Sequence, residues 1–135
     1  MAFALATDAP RSSLQIETRG GRYIGWVGSY HVDEGYVPAD GTGACAVGIS
    51  ISEPASRGHG YSYQALGAFI GYLVEQGEAE ILTQTWSGNL RMIHVAERMG
   101  FVECCRKPGL RLVRGERFDG LTFRLDRRRL EAFRG

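Results

Sequence analysis

Apolar and polar residues alternate in several short stretches of this chain, and the alternation predicts strands. Leu14, Ile16 and Thr18 mark the first. After the turn Arg19-Gly20-Gly21, residues Ile24, Trp26, Gly28, Tyr30 and Val32 fall on one face of a second. A loop follows over Gly35–Gly43, containing Pro38 and Asp40-Gly41. Ala44–Ser52 is the third strand, with Cys45, Val47, Ile49 and Ile51 on one side. The spacing then becomes helical from about Tyr61 to Glu75 and ends at Gln76-Gly77, glycine being suited to the position after a last turn. Glu80–Trp86 is a fourth strand. Ser87 or Asn89 caps a second helix, which reaches Met99 and stops at Gly100. Phe101–Lys107 is a fifth strand closed by Pro108-Gly109, and Leu110–Arg114 with Arg117–Leu125 forms a hairpin around Gly115-Glu116. The residues before Leu14 are only weakly patterned.

The order is three strands, helix, strand, helix, strands. It predicts an α/β (α+β) fold: a mixed, mostly antiparallel sheet with a central parallel strand–helix–strand unit, its crossover right-handed. A chain of 135 residues is expected to form a single domain over 1–135.

Composition removes several classes of function. The chain is 44% hydrophobic with a formal net charge of +1, which argues against disorder and against a basic nucleic-acid surface. Arg124–Arg134 also carries Asp126 and Glu131 and reads as a solvated helical face or a terminal cap. No apolar run approaches the roughly 18 residues of a membrane span, and Met1–Ala9 lacks the features of a signal peptide. Three cysteines, Cys45, Cys104 and the adjacent Cys105, make a poor disulfide framework and a poor zinc pattern. A cytoplasmic protein with reduced thiols and no metal is expected, at least one of Cys104 and Cys105 pointing into the core as a small hydrophobe.

The most informative stretch joins the third strand to the first helix: Glu53-Pro-Ala-Ser-Arg-Gly-His-Gly-Tyr-Ser-Tyr-Gln-Ala-Leu66. A glycine-rich turn here can aim several backbone N–H groups at one point, and with the helix dipole they make an anion site suited to phosphate. Arg57 adds a guanidinium fork. Taken alone, Gly58 and Gly60 also suit an ordinary tight turn. The P-loop spacing is absent, and Tyr63 stands where the dinucleotide fingerprint needs glycine.

Two segments together resemble the GNAT superfamily of N-acetyltransferases. Arg57-Gly58-His59-Gly60-Tyr61-Ser62 resembles that family's pyrophosphate loop, Gln/Arg-x-x-Gly-x-Gly/Ala. Asn89-Leu-Arg-Met-Ile-His-Val-Ala-Glu-Arg-Met-Gly-Phe101 resembles its Asn-x-x-Ser-x-x-x-Tyr-Glu-Lys-x-Gly-Phe helix. Phe118-Asp119-Gly120-Leu121 is similar to the ending of the branch that acetylates ribosomal-protein N-termini and small amines. The chain departs from the pattern at Met92 and Ala96, where the family has serine and a tyrosine that serves as general acid, and at Ala46, where a glutamate is frequent. The family's opening strand and two helices have no counterpart in the pattern before Leu14.

The resemblance implies transfer of an acetyl group from acetyl-CoA to a primary amine of a small molecule or protein N-terminus, without a metal, in a homodimer. It implies main-chain contacts from Ile49, Ser50 and Ile51 to pantetheine, a pyrophosphate held by Arg57, Gly58, His59, Gly60, Tyr61 and Ser62, and orientation of the cofactor by Asn89. For Asn89, a helix N-cap is the competing role. A base must deprotonate the amine, and Glu53 and His31 are the candidates. Loss of the serine, tyrosine and opening helices keeps a second function open, a catalytically weak acyl-CoA-binding or regulatory module.

Overall fold

The structure is a computed structural model and describes residues 2–5, 13–17, 20–39, 43–51 and 60–129. Its elements are β1 (Ala2–Leu5), β2 (Ser13–Glu17), β3 (Tyr23–Val32), β4 (Ala44–Ile51), α1 (Tyr61–Glu75), β5 (Ile81–Trp86), α2 (Leu90–Met99), β6 (Phe101–Val113) and β7 (Glu116–Leu125). The chain divides into two compact units, Met1–Ala79 and Glu80–Gly135.

The first unit is an antiparallel meander, β1 against β2, β2 against β3 and β3 against β4, with α1 packed on β3 and β4. Ala65, Leu66, Phe69, Ile70 and Leu73 lie one helical turn apart in pairs, so a single stripe of α1 is buried. It shares the core with Ile16, Ile24, Val27, Val32 and Val47, each almost fully shielded from solvent. Burying side chains of this size stabilises by about 1.5–3 kcal/mol each.

Three expectations need correction here. An opening strand does precede Leu14: β1 pairs Phe3 with Ile16 and Leu5 with Leu14. Four residues are too few for alternation to register, and the pairing is decided by the neighbouring strand. Residues 6–12, between β1 and β2, lie outside the described residues. Second, β3 does not keep one apolar face. Tyr23 opposes Glu17 and Gly25 opposes Ile16, which leaves Ile24 as an extra residue in a bulge that breaks the alternation. Ile24 is buried, while Trp26 and Tyr30 are 45% and 39% exposed. Third, β4 carries Cys45, Ala46 and Val47 all buried, so both of its faces are covered at that end.

In the second unit β7 lies between β5 and β6, antiparallel to both. α2 buries Val95, Ala96 and Met99. Phe101–Lys107 and Leu110–Arg114, expected as separate strands, are one strand, β6. Lys107 pairs with Gly120 and Arg111 with Phe118, so Pro108-Gly109-Leu110 is absorbed as a bulge. Asp119 holds that bulge: one carboxylate oxygen accepts from the Gly109 N–H at 3.1 Å and the other meets Arg106 at 2.9 Å. The Gly109 N–H and then Arg106 hold the Asp119 carboxyl below its usual range. The β6–β7 turn is Arg114-Gly115, at φ 51 and 80, one residue earlier than expected. Positive φ at both central residues suits the twist of a two-residue hairpin.

Candidate functional site

In the first unit, β4 delivers Ile49, Ser50 and Ile51, all half-buried, to the start of the glycine-rich segment. They pair with Val27, Trp26 and Gly25 of β3. Gly25 is required there. A Cβ on it would collide with the Ser50 carbonyl oxygen and stand 2.9 Å from the Ile51 Cα, both backbone atoms. Glu53, Arg57, Gly58 and His59 lie outside the described residues.

Gly60 begins α1 in the left-handed region, at φ 76 and ψ 6, and its carbonyl accepts from the Gln64 N–H at 3.2 Å. No side chain caps this helix, and its first turn holds no acidic residue. Tyr61, Ser62 and Tyr63 are half-buried around the helix start. Among the described residues, a Cβ on Gly60 would meet nothing within 4 Å. Glycine is thus demanded by the backbone angle, not by crowding from the described residues. A positive helix end with no carboxylate in its first turn and, among the described residues, room at its mouth fits an anionic diphosphate.

In the second unit Asn89 is the N-cap of α2. Its Oδ1 accepts from the Met92 N–H at 3.2 Å, so the competing structural role is present. That bond uses the amide oxygen and leaves the character of the amide NH2 as a donor unchanged. Ala96 is fully buried, and Met92 is half-buried. Trp86 is a sheet-face aromatic: its ring packs edge-on against Phe118 at 4.8 Å, and the Arg111 guanidinium lies 5.1 Å from its centroid. Cys104 is exposed and Cys105 half-buried, so neither thiol is fully buried in the core as expected.

His31 stands apart from the end of β4. It opposes Cys45, whereas Ile51 opposes Gly25, six residues back along β3. At about 3.3 Å per residue this is roughly 20 Å. Its Nε2 lies 2.8 Å from Glu78 Oε1. Neither Gly25 nor Glu78 was singled out by sequence reasoning. A glycine inside a strand, a sign of close backbone approach, pointed to the first. For Glu78 no local pattern does so.

A profile of the acetyltransferase (GNAT) domain matches residues 1–102. The chain belongs to that family. Solved structures share the fold. One is a provisionally named phosphinothricin N-acetyltransferase, 20% identical, with a TM-score of 0.72 over 86% of this chain and 71% of its own. Ribosomal-protein-alanine N-acetyltransferase from Brucella melitensis is 19% identical, with a TM-score of 0.68 over 83% and 66%. A provisionally named acetyltransferase from Salmonella typhimurium, solved with its cofactor acetyl-CoA, is 18% identical, with a TM-score of 0.70 over 84% and 63%. The chain therefore spans about two thirds of the length of these structures. No curated protein matches it. The mixed α/β class read from the sequence is that of these neighbours. Among the described residues no helix is long and apolar enough to cross a membrane.

Proposed function

We propose that this chain binds acetyl-CoA and transfers its acetyl group to a primary amine by direct attack. The observation that carries the reading is the start of α1, with a left-handed Gly60, no side-chain cap and no first-turn carboxylate, directly after the glycine-rich segment. Arg57, Gly58, His59, Gly60, Tyr61 and Ser62 hold the pyrophosphate, and Ile49, Ser50 and Ile51 offer main-chain groups to pantetheine, as in strand addition. Asn89 caps α2 with its oxygen and orients the cofactor with its NH2 group. The family profile runs across the division at Ala79, in support of one acyltransferase domain over 1–135.

A lysine-type amine is mostly protonated at neutral pH and needs a base before it can attack the thioester. Glu53, two residues beyond Ile51, is the base carried forward. The thioester supplies a thiol leaving group with a pKa near 8.5, which departs without a dedicated acid. Small amines and peptide N-termini are both candidate acceptors, the classes named for the phosphinothricin and ribosomal-protein-alanine enzymes.

Transfer of radiolabel from acetyl-CoA to a panel of polyamines, aminoglycosides and peptide N-termini tests this. Turnover is expected to be modest and to rise between about pH 6 and 9 as the amine loses its proton. The buried Ala96, with no hydroxyl to protonate a thiolate, favours a second reading, an acyl-CoA-binding module. Saturable CoA binding without transfer to any amine across that range would replace the first reading by the second. No saturable heat with CoA would remove both.

The protein is further proposed to form a homodimer. Trp26 and Tyr30, two strand turns apart on β3, are large and substantially exposed, and a second copy would cover them. A monodisperse monomer in sedimentation at micromolar concentration would count against it.

A further inference from the structure

Three ligand-type side chains meet in the first unit, far from the start of α1. His31 lies at the end of β3, Cys45 opposes it near the start of β4, and Glu78 follows the C-terminus of α1. Their donor atoms all lie within 4.8 Å of one another. The 15 residues of α1 separate this cluster from Gly60 by about 22 Å of helix.

Each member is fixed by a different element. His31 and Cys45 are direct cross-strand neighbours, so their side chains leave the sheet on the same face. Glu78 is placed by the end of α1. The Gly77 N–H bonds to Val74 O at 3.0 Å and the Glu78 N–H to Leu73 O at 3.1 Å, with Gly77 at φ 97. This is the paired closure of a Schellman motif, and it sets the carboxylate against the imidazole, 2.8 Å away. The Ser29 side chain also bonds to the Cys45 thiol.

We propose that His31 Nε2, Cys45 Sγ and the Glu78 carboxylate form a zinc site. The donor set decides the metal. One thiolate, one imidazole and one carboxylate make a borderline-soft tetrahedral set that suits zinc and is poor for calcium or magnesium. Three protein ligands leave a fourth position for water. A divalent cation would exactly balance one thiolate and one carboxylate, which lowers the cost of charge in a half-buried place. Ligand atoms around zinc, at bonds of about 2.0–2.3 Å, stand roughly 3.3–3.7 Å apart. The imidazole and carboxylate, now hydrogen-bonded, would part by about half an ångström, and the sulfur would close in. The His31 and Glu78 side chains are 34% and 25% exposed, so both can move and a metal can enter from solvent. Binding replaces the thiol proton, which leaves to solvent, and Ser29 remains as a second-layer partner of the sulfur.

The metal-free alternative is a half-buried hydrogen-bonded His31–Glu78 pair beside an inert thiol. Burial, with the Glu78 charge second, pushes that thiol up to about 11, which argues against a nucleophilic role.

Cobalt titration separates the two. The protein is first given Cys104→Ser and Cys105→Ser, leaving Cys45 as its one thiol, and is stripped with a chelator. One equivalent of Co2+ is expected to produce a thiolate-to-cobalt charge-transfer band and the visible bands of a tetrahedral site, both abolished by Zn2+. Cys45→Ser, His31→Ala and Glu78→Gln should each weaken binding at least tenfold. Circular dichroism checks folding. Should the buried Cys45→Ser fail to fold, the half-exposed His31 and Glu78 variants decide. A folded parent with no charge-transfer band at stoichiometric cobalt, or equal affinity in the His31 and Glu78 variants, would overturn the site. Acetyl transfer is not a readout, so the proposed activity and this site stand or fall separately.

Discussion

Gly60→Val is expected to bind CoA at least tenfold more weakly than the wild-type protein, a difference of about 1.4 kcal/mol or more. Two effects act together. At φ 76 a β-branched residue is strained, and relief of that strain turns the first N–H groups of α1 away from a common point. The side chain also occupies space beside the helix end that the described residues leave free, where the pyrophosphate is proposed to sit. Isothermal calorimetry on folded protein measures it, and unchanged affinity would remove the phosphate assignment. Arg57→Ala should show a companion signature. Its loss of affinity should be larger in dilute buffer than at high salt, because an ionic contact is screened.

A larger loss of stability is expected from Gly25→Ala. One methyl group there meets the Ser50 carbonyl and the Ile51 Cα, and neither can swing aside as a side-chain tip would. β3 and β4 must separate at that end. Overpacking of this kind costs about 3 kcal/mol, or roughly 10 °C in melting temperature for a domain of this size. The displaced residues are those proposed to line pantetheine, so CoA affinity should fall with stability. Thermal melts and calorimetry on the same preparation check both. A variant that melts with the wild type would show that β3 and β4 do not approach so closely in solution.

The helices were legible in the sequence because their signals are local. Tyr61–Glu75 has its observed bounds, the Gly100 stop of α2 was read from residue type, and of the two N-cap candidates Ser87 and Asn89 the structure takes Asn89. Pro108-Gly109 misled for the same reason. Both are strand breakers by local rule, yet a bulge braced by Asp119, ten residues on, lets β6 continue through them. β1 was too short to carry a period, and the bulge at Ile24 reset the period of β3. The cofactor half of the proposed site rests on a resemblance, in Arg57–Ser62 and Asn89. The cluster of His31, Cys45 and Glu78 was not legible, since His31 and Glu78 are 47 residues apart and meet only through the fold.

The meander of the first unit has a kinetic consequence. Every strand from β1 to β4 pairs with the next one in the chain, so each pairing closes only a short loop. The second unit differs. β6 and β7 pair across a two-residue turn, but β5 reaches β7 only after α2 and β6 have been passed over. Low contact order favours rapid formation of the meander and of the β6–β7 hairpin, and the β5–β7 ladder carries the largest loop-closure entropy of the strand pairs within either unit. Amide hydrogens of Leu82–Trp86 would then gain protection last when that unit refolds.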